Sequence, residues 1–316
     1  MKEISILDIE NIHIGNYTDE QHATGCTVLL FDKGAIAGVD VRGGAPATRE
    51  TALLNPLMSN DRVDAIVLSG GSAFGLDACS GVAQYLEERN RGFKTDDAFV
   101  PIVCGACLYD LELVDASVRP NKENGYQACL NAEKNEYQDG CYGAGTGAIV
   151  GKFLGMDYMM KSGIGSYAVQ VDNIKIGALV ALNAAGNIID PSCGKTIAGV
   201  RNPKTGEMVQ VEEFITAQNN SGLFNQNTTL GILVTNAKFN KTELTKIAGL
   251  CHDGYARAIN PVHTMYDGDA IFAMSVGEET MDITTFGLLA ANVISQAILK
   301  AARPIGPTFG LPVASE

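Results

Sequence analysis

Asn227-Thr228-Thr229 stands where a polar, Asn-rich stretch, residues 217–227, meets a run of core-like residues, Thr229-Leu230-Gly231-Ile232-Leu233-Val234-Thr235. The second segment reads as a buried strand. A threonine hydroxyl is a weak nucleophile unless a base stands beside it. If the peptide bond before Thr228 breaks, Thr228 gains a free α-amine next to its own hydroxyl, and that amine can act as the base. The junction therefore predicts a chain that cuts itself at 227/228 and becomes an amidohydrolase. The structural alternative is a threonine that merely starts a strand, as its β-propensity favours.

Other residues with the right chemistry fail on spacing. Gly151-Lys152 and Gly194-Lys195-Thr196 lack the preceding glycine of a phosphate-binding loop. Gly143-Ala144-Gly145-Thr146-Gly147 shares only glycine content with a dinucleotide loop. Gly70-Gly71-Ser72-Ala73-Phe74 misses the last glycine of a nucleophile elbow, and Ser72 reads as a helix N-cap. Cys104-Gly105-Ala106-Cys107 has CxxC spacing but sits in a strand-like run with no second pair or histidine to complete a zinc site. The four histidines (His13, His22, His252, His263) follow no metal-binding spacing, and His252 and His263 remain only as supporting groups. No cofactor and no metal are expected.

The elements that must position Thr228 can be read coarsely. Residues 26–31 and 35–41 are strands with a hairpin turn at Asp32-Lys33-Gly34. Residues 65–68 are a strand that Ser69-Gly70-Gly71-Ser72 turns into a helix with Phe74, Leu76, Val82, Tyr85 and Leu86 inward. Residues 167–171 and 174–183 form a hairpin around Asp172-Asn173. A helix at 241–258, capped by Asn240, follows the 228–235 strand. A strand at 270–276 precedes a well-buried apolar helix over 284–302, which Pro304 ends. Short hairpins interleaved with helices favour a layered α+β protein, with two sheets stacked between helix layers, in one domain over residues 1–316.

Composition narrows the partners. The 316 residues are 46% hydrophobic and 19% charged, with a net charge of −13. That charge disfavours nucleic acid and anionic membrane, both of which need clustered Lys and Arg. The acidic N-terminal residues do not resemble an export signal, and no apolar run approaches the roughly 18 residues of a membrane span. A cytoplasmic location, with the eight cysteines reduced and buried, is the resulting expectation.

Several segments, in order along nearly the whole chain, resemble the L-aminopeptidase/D-esterase (DmpA-like) family of self-processing hydrolases, which includes the β-aminopeptidases. They include Ala37-Gly38-Val39-Asp40-Val41-Arg42-Gly43-Gly44-Ala45-Pro46, Leu68-Ser69-Gly70-Gly71-Ser72-Ala73-Phe74-Gly75-Leu76 and Gly143-Ala144-Gly145-Thr146-Gly147. Asn227-Thr228-Thr229, His252-Asp253-Gly254-Tyr255-Ala256-Arg257-Ala258-Ile259 and Pro261-Val262-His263-Thr264 followed by Asp267-Gly268-Asp269 complete the set. The resemblance implies a four-layer α/β/β/α fold, related to the N-terminal-nucleophile hydrolases but differently connected. It implies self-cleavage into subunits 1–227 and 228–316 that stay together, and a homo-oligomer of such pairs. It places the nucleophile on Thr228, the oxyanion-stabilising asparagine on Asn183, and the acidic partners on Asp267 and Asp269, where the β-aminopeptidases carry a Ser and a Glu. Tyr109, Gly143 and Gly145 are the substrate-binding candidates. The implied substrates are small peptides or amino-acid amides with a free amino group. Pantetheine-like small amides, or an uncleaved non-catalytic scaffold, are the alternatives.

Overall fold

A computed structural model describes residues 1–211 and 226–314. Most of the Asn-rich stretch before Thr228 lies outside these residues. Strands β1 (Lys2–Ile4), β2 (Ile12–Asp19), β3 (Thr24–Val41), β4 (Thr48–Arg49) and β5 (Arg62–Ser69) are followed by helix α1 (Ala78–Glu87). Then come β6 (Val103–Cys107), α2 (Lys122–Ala132), β7 (Ile164–Val171) and β8 (Ile174–Ala181). The last segment holds β9 (Leu230–Ala237), α3 (Lys241–Ala258), β10 (Ala270–Glu279) and α4 (Ile283–Ala301).

Alternation along each strand sorts the side chains into three apolar layers. In β3, Cys26, Val28 and Leu30 face α1 and α2, where they meet Val82, Leu86 and Ala128. Leu29 and Phe31, one residue out of step, face the opposite half of the sheet and pack with Ile232, Val234, Phe272 and Met274. In β8, Ile176, Ala178 and Val180 face α3 and α4, against Leu244, Ile247, Ile294 and Ile298. Helices on both outsides and a shared middle core give the expected α/β/β/α layering. Burial on both faces also explains why these strands read as apolar runs.

The strands run in the order β1-β7-β8-β9-β10-β3-β5-β6-β4, with β2 also paired to β3. The predicted turn at 32–34 is corrected: β3 passes straight through it. Its first half pairs with β2 and β5 and its last six residues, 36–41, pair with β10. The register against β5 shifts between Leu30 and Ala35, and Gly34 takes a φ of +70°. A local irregularity with a left-handed glycine lets one long strand bend from one sheet layer into the other. Both layers are therefore one hydrogen-bonded sheet folded on itself.

Further expectations change. Ser72 is not an N-cap: its own φ is +53°, it lies inside a 3-10 turn (Ser72–Asp77), and α1 starts only at Ala78. Phe74 consequently points outward, with the Arg119 guanidinium 4.0 Å above its ring. Cys193 is exposed, whereas the other seven thiols are buried. Helix α4 is long and apolar enough to cross a membrane by length and composition. Its apolar side packs against the sheet and α3, and only Leu288, 59% exposed, departs from the predicted burial. The 171/174 hairpin and the Asn240 cap are as predicted, the latter completed by Glu243 as a capping box.

Candidate active site

The site is built where strand ends converge. β9 and β10 run parallel, joined by α3, so Leu230 pairs with Ala270. The residues just before each strand, 227–229 and 267–269, therefore lie side by side. β8 runs antiparallel to β9 on the other flank, and its last residue, Ala181, pairs with Leu230. Asn183, two residues further on, reaches Thr228. Residues about 40 positions apart in sequence meet because strand pairing, not local sequence, brings them together.

Thr228 is 4% exposed. Its backbone N–H donates to the Asn183 carbonyl at 3.0 Å, and its hydroxyl lies in hydrogen-bond contact with the Asn227 carbonyl oxygen. That same carbonyl accepts from the Gly268 N–H at 3.0 Å, and the Asn227 N–H donates to the Tyr266 carbonyl at 3.1 Å. A Cβ at Gly268 would stand 2.6 Å from the Thr228 Oγ1, so a side chain there would displace the hydroxyl.

The two aspartates have different neighbours. Asp269 Oδ1 accepts the Thr229 N–H at 2.7 Å, and Oδ2 accepts His263 Nδ1–H at 2.8 Å. Asp267 Oδ2 accepts the Thr264 N–H at 2.6 Å. Burial pushes the Asp267 carboxyl above the usual aspartate range, and the Asp269 charge adds to the shift.

Asn183 is fully buried, and backbone groups occupy its side chain. Oδ1 accepts from Ile149 N–H at 3.1 Å, and Nδ2 donates to the Tyr109 carbonyl at 2.8 Å. The resemblance places the oxyanion-stabilising role on Asn183; in this structure the Asn227 carbonyl accepts from Gly268 N–H, and the Asn183 amide donates to Tyr109. An extended pairing of 227 with 267 aims the Gly268 amide at the Asn227 oxygen, whereas the Asn183 amide is turned to Tyr109.

Lys152 is the residue that sequence reasoning passed over, having met it only in a failed phosphate-loop match. It comes from a 3-10 turn (Lys152–Leu154) and is 0% exposed. Its ammonium donates to the carbonyls of Tyr109 at 3.2 Å and Gln226 at 3.3 Å and lies 3.5 Å from the Glu112 carboxylate. Burial lowers its pKa, opposed by Glu112, Asp110 and Asp267. A lone cation in the run Ile149-Val150-Gly151-Lys152-Phe153-Leu154 was the available signal.

Above Thr228 opens a cavity of about 180 Å³ lined by Pro46, Ser72, Ala73, Tyr109, Thr228 and Tyr266, among others. A larger cleft of about 390 Å³, at Asp139, Gln296 and Arg303, contains none of the predicted catalytic residues. Tyr109 is thus at the site. Gly143 and Gly145 do not line the cavity: they pack tightly against β2 and β3 and against Ile164, where a Cβ would lie within 2.5 Å of neighbouring atoms. Among the described residues no group of three or more His, Cys, Asp or Glu side chains could hold a metal ion.

His252 is buried behind this site, with Nε2 3.1 Å from the Asp40 carbonyl. Burial pushes its pKa down to about 4, with the Asp40 contact opposing and the neighbouring His263 reinforcing the shift. The unfolded chain takes up a proton near the ordinary histidine value of about 6.5, which the native ring refuses until about 4. The ring's contribution is intact above pH 6.5 or so and is lost as pH falls toward about 4. The loss should reach roughly 3 kcal/mol. Urea midpoints measured across that window should fall less steeply in His252→Gln than in the parent.

The amino-acid sequence matches the family model described as peptidase family S58 over residues 5–305. It is 35% identical to an uncharacterized aminopeptidase of Mycobacterium bovis, over 98% of this chain and 96% of that protein. It is 30% identical to a 6-aminohexanoate-oligomer endohydrolase of a Kocuria strain, over 96% of this chain and 87% of that one. Its fold is similar to that of the L-aminopeptidase D-Ala-esterase/amidase of Ochrobactrum anthropi, with a TM-score of 0.73 at 18% identity, over 99% of this chain and 91% of that one. A family match across nearly the whole chain, on a fold shared with an Ntn-type hydrolase, makes the chain a member of peptidase family S58.

Proposed function

We propose that this protein cuts itself between Asn227 and Thr228 and then acts as an aminopeptidase or amidase with Thr228 as its N-terminal nucleophile. The observation that carries this reading is the placement of the Thr228 hydroxyl against the Asn227 carbonyl, with Gly268 N–H already donating to that carbonyl oxygen. Oγ1 attacks the Asn227 carbonyl carbon through a five-membered ring, and the oxyanion stays on the Gly268 amide. The C–N bond then breaks, and the hydroxyl proton goes to the departing nitrogen. The Asn227 acyl group is now an ester on Oγ1. Water hydrolyses it to the Asn227 carboxylate and restores the Thr228 hydroxyl.

The new α-amine has an ordinary pKa of about 7.7–8.0, so a useful fraction is unprotonated near neutrality and can take the hydroxyl proton. Thr228 then attacks a substrate amide, the acyl group passes to Oγ1, and water releases it. Departure of Asn227 leaves the Gly268 amide for the substrate oxyanion, with the Asn183 amide close by. Loss of one such donor typically costs about 10²–10³ in rate. Asp269 holds the Thr229 N–H. Asp267, electrostatically linked to Lys152, is the carboxyl available to the new ammonium or to the substrate's amino group. Among the described residues no charged side chain lines the cavity, which suits an uncharged side chain on the substrate. Small amides of amino acids are therefore the proposed substrates.

Intact-mass measurement tests the first step. Pieces of 227 and 89 residues, the shorter beginning at Thr228, are expected, and a single uncut chain would overturn the reading. A hydrolysis screen over L-, D- and β-aminoacyl amides, pantetheine-like amides and linear ω-amino-acid oligomers then identifies the substrate. The last arm is prompted by the activity named for the Kocuria relative.

A further inference from the structure

Asp269 is almost fully buried, and three N–H groups converge on it. Oδ1 takes Thr229 N–H at 2.7 Å, and Oδ2 takes both the backbone N–H of His263, at 3.2 Å, and its ring Nδ1–H, at 2.8 Å. One residue thus grips one carboxylate oxygen with two donors, while the other oxygen holds the backbone beside the nucleophile. The grip needs an unusual backbone: His263 has a φ of +58°, a region that non-glycine residues rarely adopt. The ring is enclosed as well. It stands edge-on to His252 at 4.7 Å between centroids and is stacked with Tyr255 at 6.0 Å.

External partners set both imidazole tautomers. His252 Nε2–H donates to the Asp40 carbonyl, leaving Nδ1 as a lone pair. His263 donates from Nδ1 to Asp269, leaving Nε2 as a lone pair. Those two nitrogens and the Tyr255 hydroxyl are buried, with no hydrogen-bond partner among the described residues. Among the described residues the Nδ1 contact with Asp269 is thus the ring's one hydrogen bond, and it points toward the site.

We infer that His263 is a positioning residue for turnover: its two N–H groups fix Asp269, which fixes the Thr229 amide and with it the Thr228 backbone bearing nucleophile and base. The inference rests on the reading of Thr228 as an N-terminal nucleophile. In the uncut chain Thr228 is also held from its N-terminal side, through Tyr266 and Gly268 onto Asn227. Cutting removes that restraint. The Asp269 tether then carries more of the positioning, so His263 matters more for substrate turnover than for self-cleavage.

The test compares His263→Ala, His263→Asn and His263→Gln in the full chain. An asparagine amide can place a donor where Nδ1 stands and tolerates a left-handed backbone, whereas glutamine presents its amide one carbon further out. His263→Ala should still be cut at 227/228, with kcat on an aminoacyl amide lowered about 10- to 100-fold and KM within about threefold, the size expected from losing a charge-assisted hydrogen bond. His263→Asn should recover most of kcat and His263→Gln should not. An unchanged kcat in His263→Ala, or an effect confined to KM, would overturn the inference. Should the alanine variant fail to fold, the Asn and Gln variants decide: equal impairment means that the ring is only packing. A Thr228→Ala control that remains active would instead remove the nucleophile reading itself.

Discussion

Thr228→Ala is expected to stay a single 316-residue chain and to show no hydrolysis of any amide that the parent turns over. Two functions disappear with one oxygen, the second as a consequence of the first. The hydroxyl that contacts the Asn227 carbonyl is gone, so the N-to-O transfer has no acceptor. Without the cut, no α-amine is released at position 228, and the site lacks its base as well. Removal of a nucleophile that acts as a unit with its base typically lowers kcat by on the order of 10⁴–10⁶. The fold should survive, because Thr228 contributes its backbone N–H to Asn183 and its side chain only to its own neighbour. Thr228→Ser keeps the oxygen and should still cut and turn over. Denaturing gels and mass spectra read the first half of the prediction, and an amide assay on equal masses of folded protein reads the second. A variant lacking the hydroxyl that still splits at 227/228 would place the nucleophile elsewhere.

Lys152→Met should have the largest effect on folding. The ammonium is fully buried, gathers two backbone carbonyls, and sits 3.5 Å from Glu112, a carboxylate that is itself only 14% exposed on its side chain. Methionine fills much of the volume but leaves Glu112, Asp110 and Asp267 without their shared cation. Breaking one half of a buried charge pair typically costs about 3–5 kcal/mol, because the remaining charge stays out of water. Urea midpoints of the parent and variant measure this. Self-cleavage should slow as well, since Lys152 holds the carbonyl of Gln226, the residue preceding Asn227. A time course from freshly refolded protein would show the uncut chain persisting. A variant as stable as the parent would mean that the charges relax into solvent and that Lys152 is dispensable for the fold.

The proposed cleavage point is local in the sequence because it rests on adjacent residues: a polar stretch, a small hydroxyl residue and a strand of continuous apolar character. Helices α3 and α4 were legible for a similar reason, whereas α2 was not read. Asn240 with Glu243 three residues later is a local cap, and the apolar stripe of the helix that follows is a local period. The residues around 32–34 misled because a left-handed glycine flanked by two strands has the same local pattern in a hairpin and in a bend within one strand. The choice lay with the partners: β10 takes the second half of β3, while β2 and β5 take the first. Lys152 could be flagged as a lone cation in an apolar run, but its role could not be read. Its meaning comes from Tyr109, Glu112 and Gln226, none of them near it in sequence.

By itself, the sequence determined many of the elements, most of their buried faces and the layered class, since these follow from side-chain period, and it singled out Thr228 as the proposed nucleophile from local chemistry. Tertiary structure decided which groups surround that residue. The parallel pairing of β9 with β10 sets Gly268 and Asp269 beside 227–229, and the antiparallel pairing of β8 with β9 brings Asn183 to the Thr228 amide. Strand partners are chosen by burying both faces of every strand at once, a condition on the whole chain rather than on any segment of it. That condition sets the Gly268 N–H on the Asn227 carbonyl and gives Asp269 the Thr229 N–H and His263 as partners.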